Sequence, residues 1–181
     1  MIKITFAAFP NICRYADCNR PTPGHRGLSM SIAVRPSTLI EHVKLYGRAH
    51  QTRVNRVLHF VGIPMLGIAS LGLLAKIPMT SHSYARWTPN IAWLCMIAAA
   101  VWYLWQDVRL GCLAMLIVLA CYMVGCEIAE LPLALLFVSG TVIHFIGHFV
   151  FEGKPPVSLT RPIGVLEAPA WLIMQLASSK D

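Results

Sequence analysis

The chain has 181 residues, of which 56% are hydrophobic and 13% charged, a balance that excludes an ordinary water-soluble domain. A formal charge of +7 does not point to nucleic acid, because the basic residues flank apolar runs instead of forming a basic domain with interleaved aromatics. Four of the six cysteines (Cys95, Cys112, Cys121, Cys126) lie inside apolar stretches, where thiols act as small hydrophobes, so no disulfide framework is expected.

Residues 1–29 carry Pro10, Pro21, Pro23 and Gly24 with no sustained helical or strand period, which predicts a disordered arm. Cys13 and Cys18, with His25 beyond, have no folded surround that would make them a metal site. Met30 is an alternative start, since patterned sequence begins just after it. From Ser37 or Thr38 as N-cap, with Glu41 in the first turn, the pattern predicts an interfacial helix over about 38–56. Lys44, Arg48, Arg53 and Arg56 give it a basic face suited to anionic membrane lipid.

Four apolar runs follow, at about 57–75, 87–105, 110–128 and 131–151, each 19 to 21 residues and long enough to cross a bilayer. Pro64 lies in the first, and Trp87, Trp102, Tyr103 and Trp105 mark the water boundaries of the second. A last apolar run, 163–176, contains Glu167 and Pro169 and is too short to cross, so it is placed on the surface as a second interfacial helix. The expected fold is all-α: a polytopic four-transmembrane-helix bundle with amphipathic interfacial helices on both sides, residues 30–176 forming the membrane domain.

Lys and Arg number five in 31–56, one in 106–109 and three after 151, against two (Lys76, Arg86) in the intervening loops. The positive-inside rule then puts both termini in the cytoplasm, in a bacterial inner membrane or, in a eukaryote, the endoplasmic reticulum. With that topology the first span starts and the fourth ends at one membrane face, so His50 and His59 share a level with His144 and His148. His144, His148 and Glu152 are spaced i, i+4, i+8 along one helical stripe, and Asn55 and His59 are spaced i, i+4. His50 and His59 are nine residues apart, about 180° round an unbroken helix, so both reach one centre only if the chain bends between them. Imidazoles with a carboxylate suit iron, zinc or manganese, and two histidines with one carboxylate and open positions are the pattern of non-haem Fe(II) oxygenases. His42 and His82 are expected to be solvated, and Glu127 and Glu130 to be ordinary interfacial groups at the far boundary.

Three stretches carry a resemblance: Tyr46-Gly47-x-x-His50, then Asn55-Arg56-x-x-His59-x-x-Gly62-Ile63-Pro64, then Phe145-Ile146-Gly147-His148-x-x-x-Glu152-Gly153. The sequence over about 38–172 resembles the membrane-bound 2-hydroxy fatty acid dioxygenases of sphingoid-base alpha-oxidation. The resemblance implies an Fe2+ enzyme that shortens a long-chain 2-hydroxy fatty acid by one carbon with O2, releasing CO2, and it implies His50, His59 and His148 as metal-binding residues. His144 stands where that family usually has glutamine, and Pro156-Val157-Ser158 where it has Pro-Ala-Leu, so the role of His144 as a further metal ligand is open. Tyr46, Asn55 and Glu152 are candidates to support the metal site, Glu152 also as a ligand. Arg53, Arg56 and Lys154 are candidates to pair with the substrate carboxylate, or to bridge span and headgroups. Two other readings stay open: a bis-histidine haem protein of electron transfer using His59 and His148, and a non-enzymatic small membrane transporter or assembly protein with structural histidines. No nucleic acid is expected as a partner, and the oligomeric state is not legible.

Overall fold

A computed structural model of the chain describes residues 38–79 and 89–178. The expectations for the arm 1–29, Met30, Cys13, Cys18, His25, Ser37, His82, Arg86 and Trp87 lie outside those residues.

The described chain is helical. Helix α1, Leu39–Gly47, is opened by Thr38, whose hydroxyl accepts from the Glu41 N–H at 3.3 Å. It does not run on to residue 56 as one interfacial helix. Its last carbonyls are used up by the next residues, Arg48 N–H bonding to Lys44, Ala49 to Tyr46 and His50 to Gly47. The chain then starts afresh at Thr52, whose side chain caps Asn55 N–H at 3.3 Å. Two capping residues fourteen positions apart therefore make two helices where an unbroken pattern of charge and apolar residues suggested one.

Helix α2, Arg53–Ala75, continues through Pro64. Helix α3 is Ile91–Gln106, and α4, Val108–Glu127, begins at Asp107, whose carboxylate accepts from Leu110 N–H at 2.9 Å. Helix α5, Glu130–Phe145, passes directly into a π-helical segment, Ile146–Glu152. A short α6, Val157–Thr160, leads to α7, Gly164–Ser178.

Three stretches are long and apolar enough to cross a membrane: Arg53–Ala75, Val108–Glu127 and Glu130–Glu152. Ile91–Gln106 is apolar but shorter, its expected start at residue 87 lying outside the described residues. Helix α2 is the centre of the bundle, packed against α4 and α5. Small residues allow this: a Cβ on Gly125 of α4 would stand 2.6 Å from the Ile68 carbonyl oxygen of α2, so only glycine permits the approach.

At one end of the bundle α1, α3, α4 and α7 share a core of Leu39, Val43, Tyr46, Tyr103, Ala114, Trp171 and Leu172. Two expectations are corrected there. Helix α7 is more than a surface helix, since Glu167, Ala170 and Trp171 are fully buried and Tyr103 donates its hydroxyl proton to the Leu166 carbonyl. His42 is not solvated: it is buried, its Nδ1 lies 2.8 Å from Glu167 Oε1, and its ring meets Trp102 edge-on. Arg161 also bonds Glu167 Oε1, so the buried carboxylate is held by two partners. Sequence pattern could not pair His42 with a residue 125 positions away.

Candidate metal centre

Three imidazoles meet where α1, α2 and the π segment converge. His50 comes from the link between α1 and α2, His59 from the second turn of α2, and His148 from the π segment. All three are buried, with the ligating nitrogens within 4.8 Å of one another. The bend that the spacing of His50 and His59 demanded is supplied by residues 48–52.

Hydrogen bonding fixes how two of these rings present themselves. His50 Nδ1 lies 2.7 Å from the Tyr46 carbonyl and His59 Nδ1 2.8 Å from the Asn55 carbonyl. A carbonyl only accepts, so each Nδ1 carries the proton and each Nε2 carries a lone pair. Those Nε2 atoms are 3.0 Å apart, and His59 Nε2 is 3.1 Å from His148 Nε2. Burial lowers the His50 pKa to about 4, so this ring is neutral at pH 7 and the short contacts cannot be relieved by charging it.

Lone pairs aimed at one another at such distances repel unless a cation lies among them. Imidazole nitrogens about 2.1 Å from a shared ion stand roughly 3.0–3.4 Å apart in octahedral or tetrahedral arrangement, so the two contacts suit ligation of one metal. The donor set therefore fits a divalent transition metal held by His50, His59 and His148.

The surroundings hold the three rings from several sides. Tyr46 stacks on His50 with centroids 4.3 Å apart and planes at 20°, so it both carries the ring and accepts its proton. Burial pushes the Tyr46 hydroxyl well above its ordinary pKa, with Glu167 adding to the shift, so it stays protonated. Trp171 of α7 lies over the same histidine at 5.0 Å and reaches His59 at 6.2 Å. Arg56 donates through Nε to the His50 carbonyl at 3.0 Å and pins the link that bears this histidine.

Glu152 works from the opposite side. Its Oε1 accepts from Thr52 N–H at 2.8 Å, Thr52 Oγ1 at 3.1 Å and Asn55 Nδ2 at 3.1 Å. The carboxylate thus ties the end of the π segment to the start of α2, where the helix dipole favours an anion. It stands outside the imidazole trio, which contains no carboxylate. Gly147 makes the junction possible: a Cβ there would lie 2.3 Å from Asn55 Oδ1 and 3.4 Å from His59 Cε1.

Of the remaining residues singled out in the sequence, His144 sits beside the trio, its ring 4.4 Å from that of His59 and 4.9 Å from that of His148. The π turn explains its displacement, because an i, i+4 pair no longer stays in register where the helix widens. Arg53 and Lys154 are exposed. Thr52 and Trp171 were missed by sequence reasoning; Thr52 carried a faint signal as a capping residue ahead of Asn55, and Trp171 carried none.

The sequence profile described as 2-hydroxy-palmitic acid dioxygenase Mpo1-like matches residues 37–180. The chain belongs to this family. The match spans all seven helices, so the Mpo1-like assignment embraces α7 and Trp171 as well as the three histidines. No curated protein and no solved structure matches the chain. The Mpo1-like description names a dioxygenase, which the buried imidazole trio suits in its chemistry.

Proposed function

We propose that the protein is an Fe(II)-dependent dioxygenase that shortens long-chain 2-hydroxy fatty acids by one carbon. The observation that carries this reading is the convergence of three buried imidazoles, two of which have their Nδ1 protons engaged by backbone carbonyls, in a chain of the Mpo1-like family. The reaction balances without an external reductant. R–CH(OH)–COO⁻ and O2 give R–COO⁻, CO2 and water, the C1–C2 bond breaking while the hydroxyl-bearing carbon is oxidised to the new carboxylate.

A ferrous ion held by His50, His59 and His148 would supply open coordination positions for the hydroxy acid and redox chemistry for O2. The protein's own contribution is position and dryness. Tyr46 and Asn55 carbonyls orient two Nε2 lone pairs, and bonds of this kind raise ligand basicity and fix the tautomer. Glu152 keeps the third ring's segment against α2 through Thr52 and Asn55. Trp171 and Tyr46 cover the rings from the α7 side and keep bulk water away. His144, beside His59, would be available as a further ligand to the ion.

The site lies at the ends of apolar helices, so a long-chain substrate reaches it from the lipid phase with its polar head at the imidazoles and its tail among the spans. The excess of Lys and Arg around residues 31–56 and after residue 151 supports a cytoplasmic-leaflet position for that end, and the apolar Ile91–Gln106 is read as a fourth span. The test is incubation of Fe(II)-loaded protein with 2-hydroxypalmitate and O2. Pentadecanoic acid and CO2 are expected from the unaltered chain and neither from an inserted His148→Ala variant; equal turnover by both removes His148 from the reaction.

A further inference from the structure

Trp171 is fully buried, yet its indole Nε1–H makes no hydrogen bond. An indole N–H can only donate, and a buried donor left unmet costs on the order of 1–3 kcal/mol, so it calls for an acceptor. None of the rings around it accepts from it, the Tyr46 hydroxyl at the ring 5.6 Å away included. His50 has Nδ1 on the Tyr46 carbonyl and Nε2 turned to His59; His59 has Nδ1 on the Asn55 carbonyl and Nε2 turned to His50 and His148. Phe60, 6.2 Å away, has no polar atom. A ligand bound at the trio, over which the indole lies, can bring the missing acceptor.

Arg56 is committed to the carbonyls of His50 and Gln51, and Arg53 and Lys154 are exposed. Arg161 is bound to Glu167. The donor whose ring lies over His50 is uncharged, the indole one helical turn beyond Glu167 on α7.

We propose that Trp171 is a substrate-contacting residue whose indole N–H donates to the carboxylate of the 2-hydroxy acid bound at His50, His59 and His148. The inference rests on the reading of the trio as a metal site for hydroxy acids. It assigns α7 a part in selecting the ligand: the helix supplies a neutral donor to an anion next to the metal, while Glu167, paired with His42 and Arg161, holds that helix in place.

The test is binding in the absence of O2. Detergent-purified protein loaded with Co(II) is titrated with 2-hydroxypalmitate and followed by the cobalt absorption bands; Fe(II)-loaded protein is titrated in parallel with nitric oxide as a small neutral ligand. Trp171→Phe keeps the aromatic cover and removes the N–H. The expected result is an affinity for the hydroxy acid about tenfold or more weaker, consistent with loss of a bond to a charged acceptor, with metal content and nitric oxide binding unchanged. Should the phenylalanine variant lose metal, benzothienylalanine at position 171, which replaces N–H by sulfur at nearly equal volume, decides the matter in the same titration. Unchanged acid affinity in a metal-loaded variant overturns the proposal while leaving the dioxygenase reading intact. Failure of the unaltered metal-loaded protein to bind the acid overturns both. A loss that extends equally to nitric oxide also overturns the proposal, because it marks a general disturbance of the centre and no contact to the carboxylate.

Discussion

His50 Nε2 and His59 Nε2 stand 3.0 Å apart although one belongs to a link and the other to a helix long and apolar enough to cross a membrane. The five residues from Arg48 to Thr52 produce this contact by ending α1 and restarting the chain as α2. The restart depends on Thr52 as cap and on Arg56 reaching back to the His50 carbonyl.

That dependence makes Arg56 a structural anchor of the ligand. Arg56→Ala is expected to weaken Fe(II) binding by about tenfold, a typical effect of removing a partner that orients a ligand. Arg56→Lys should restore little, since one ammonium cannot span the carbonyls of His50 and Gln51 in the same fork. Metal titration of the purified variants measures both.

Gly147→Ala is expected to be among the most damaging small changes in the chain. The new Cβ would stand 2.3 Å from Asn55 Oδ1, so the Asn55 amide must turn and give up its bond to Glu152, loosening the π segment from α2. Overpacking of this kind costs about 1–3 kcal/mol, and here it also moves His148 relative to His59. Thermal unfolding in detergent should show the loss of stability, and metal analysis a centre that no longer fills.

Glu152 joins the two elements that carry His59 and His148. Glu152→Ala leaves the Thr52 and Asn55 donors without an acceptor and is expected to cost about 1–3 kcal/mol. Glu152→Gln keeps a carbonyl oxygen and should retain more metal than the alanine variant. Equal metal content in both would show that the carboxylate is not what holds the segment.

The acid dependence of the metal-free protein has a definite sign. His50 titrates near its ordinary value when unfolded and near 4 when buried, so below about pH 6.5 the unfolded chain takes up a proton that the folded one refuses. Stability should fall as pH is lowered from about 6.5 to 4 and the contribution should level off below that. His50→Phe should reduce the slope across this window; an unchanged slope would show that His50 does not remain neutral in the fold.

How much of this could be read beforehand follows from the range of the interactions. The apolar spans and the motifs at Tyr46–His50, Asn55–His59 and Gly147–Glu152 are local patterns, and they pointed to one centre provided the chain bent near His50. The bend itself has no proline or obvious breaker between Arg48 and Thr52, and only the capping geometry reveals it. The π segment likewise has no sequence mark, so the stripe of His144, His148 and Glu152 came out as ring neighbour, member of the imidazole trio and anchor in turn. His42 with Glu167, and Trp171 with His50, pair residues more than a hundred positions apart through the packing of α7 on α1. Periodicity in a short apolar run with one glutamate gives no hint of what that glutamate will meet.

The central claim is that three imidazoles hold one iron. X-ray absorption of the Fe(II)-loaded protein measures this most directly, because outer-shell scattering from imidazole rings counts them. The expected result is a colourless protein with one iron per chain and at least three imidazoles at the metal, one fewer in a His50→Ala variant that still binds iron. A spectrum with no more than two histidines, a haem signature, or no change on removing His50 would contradict it.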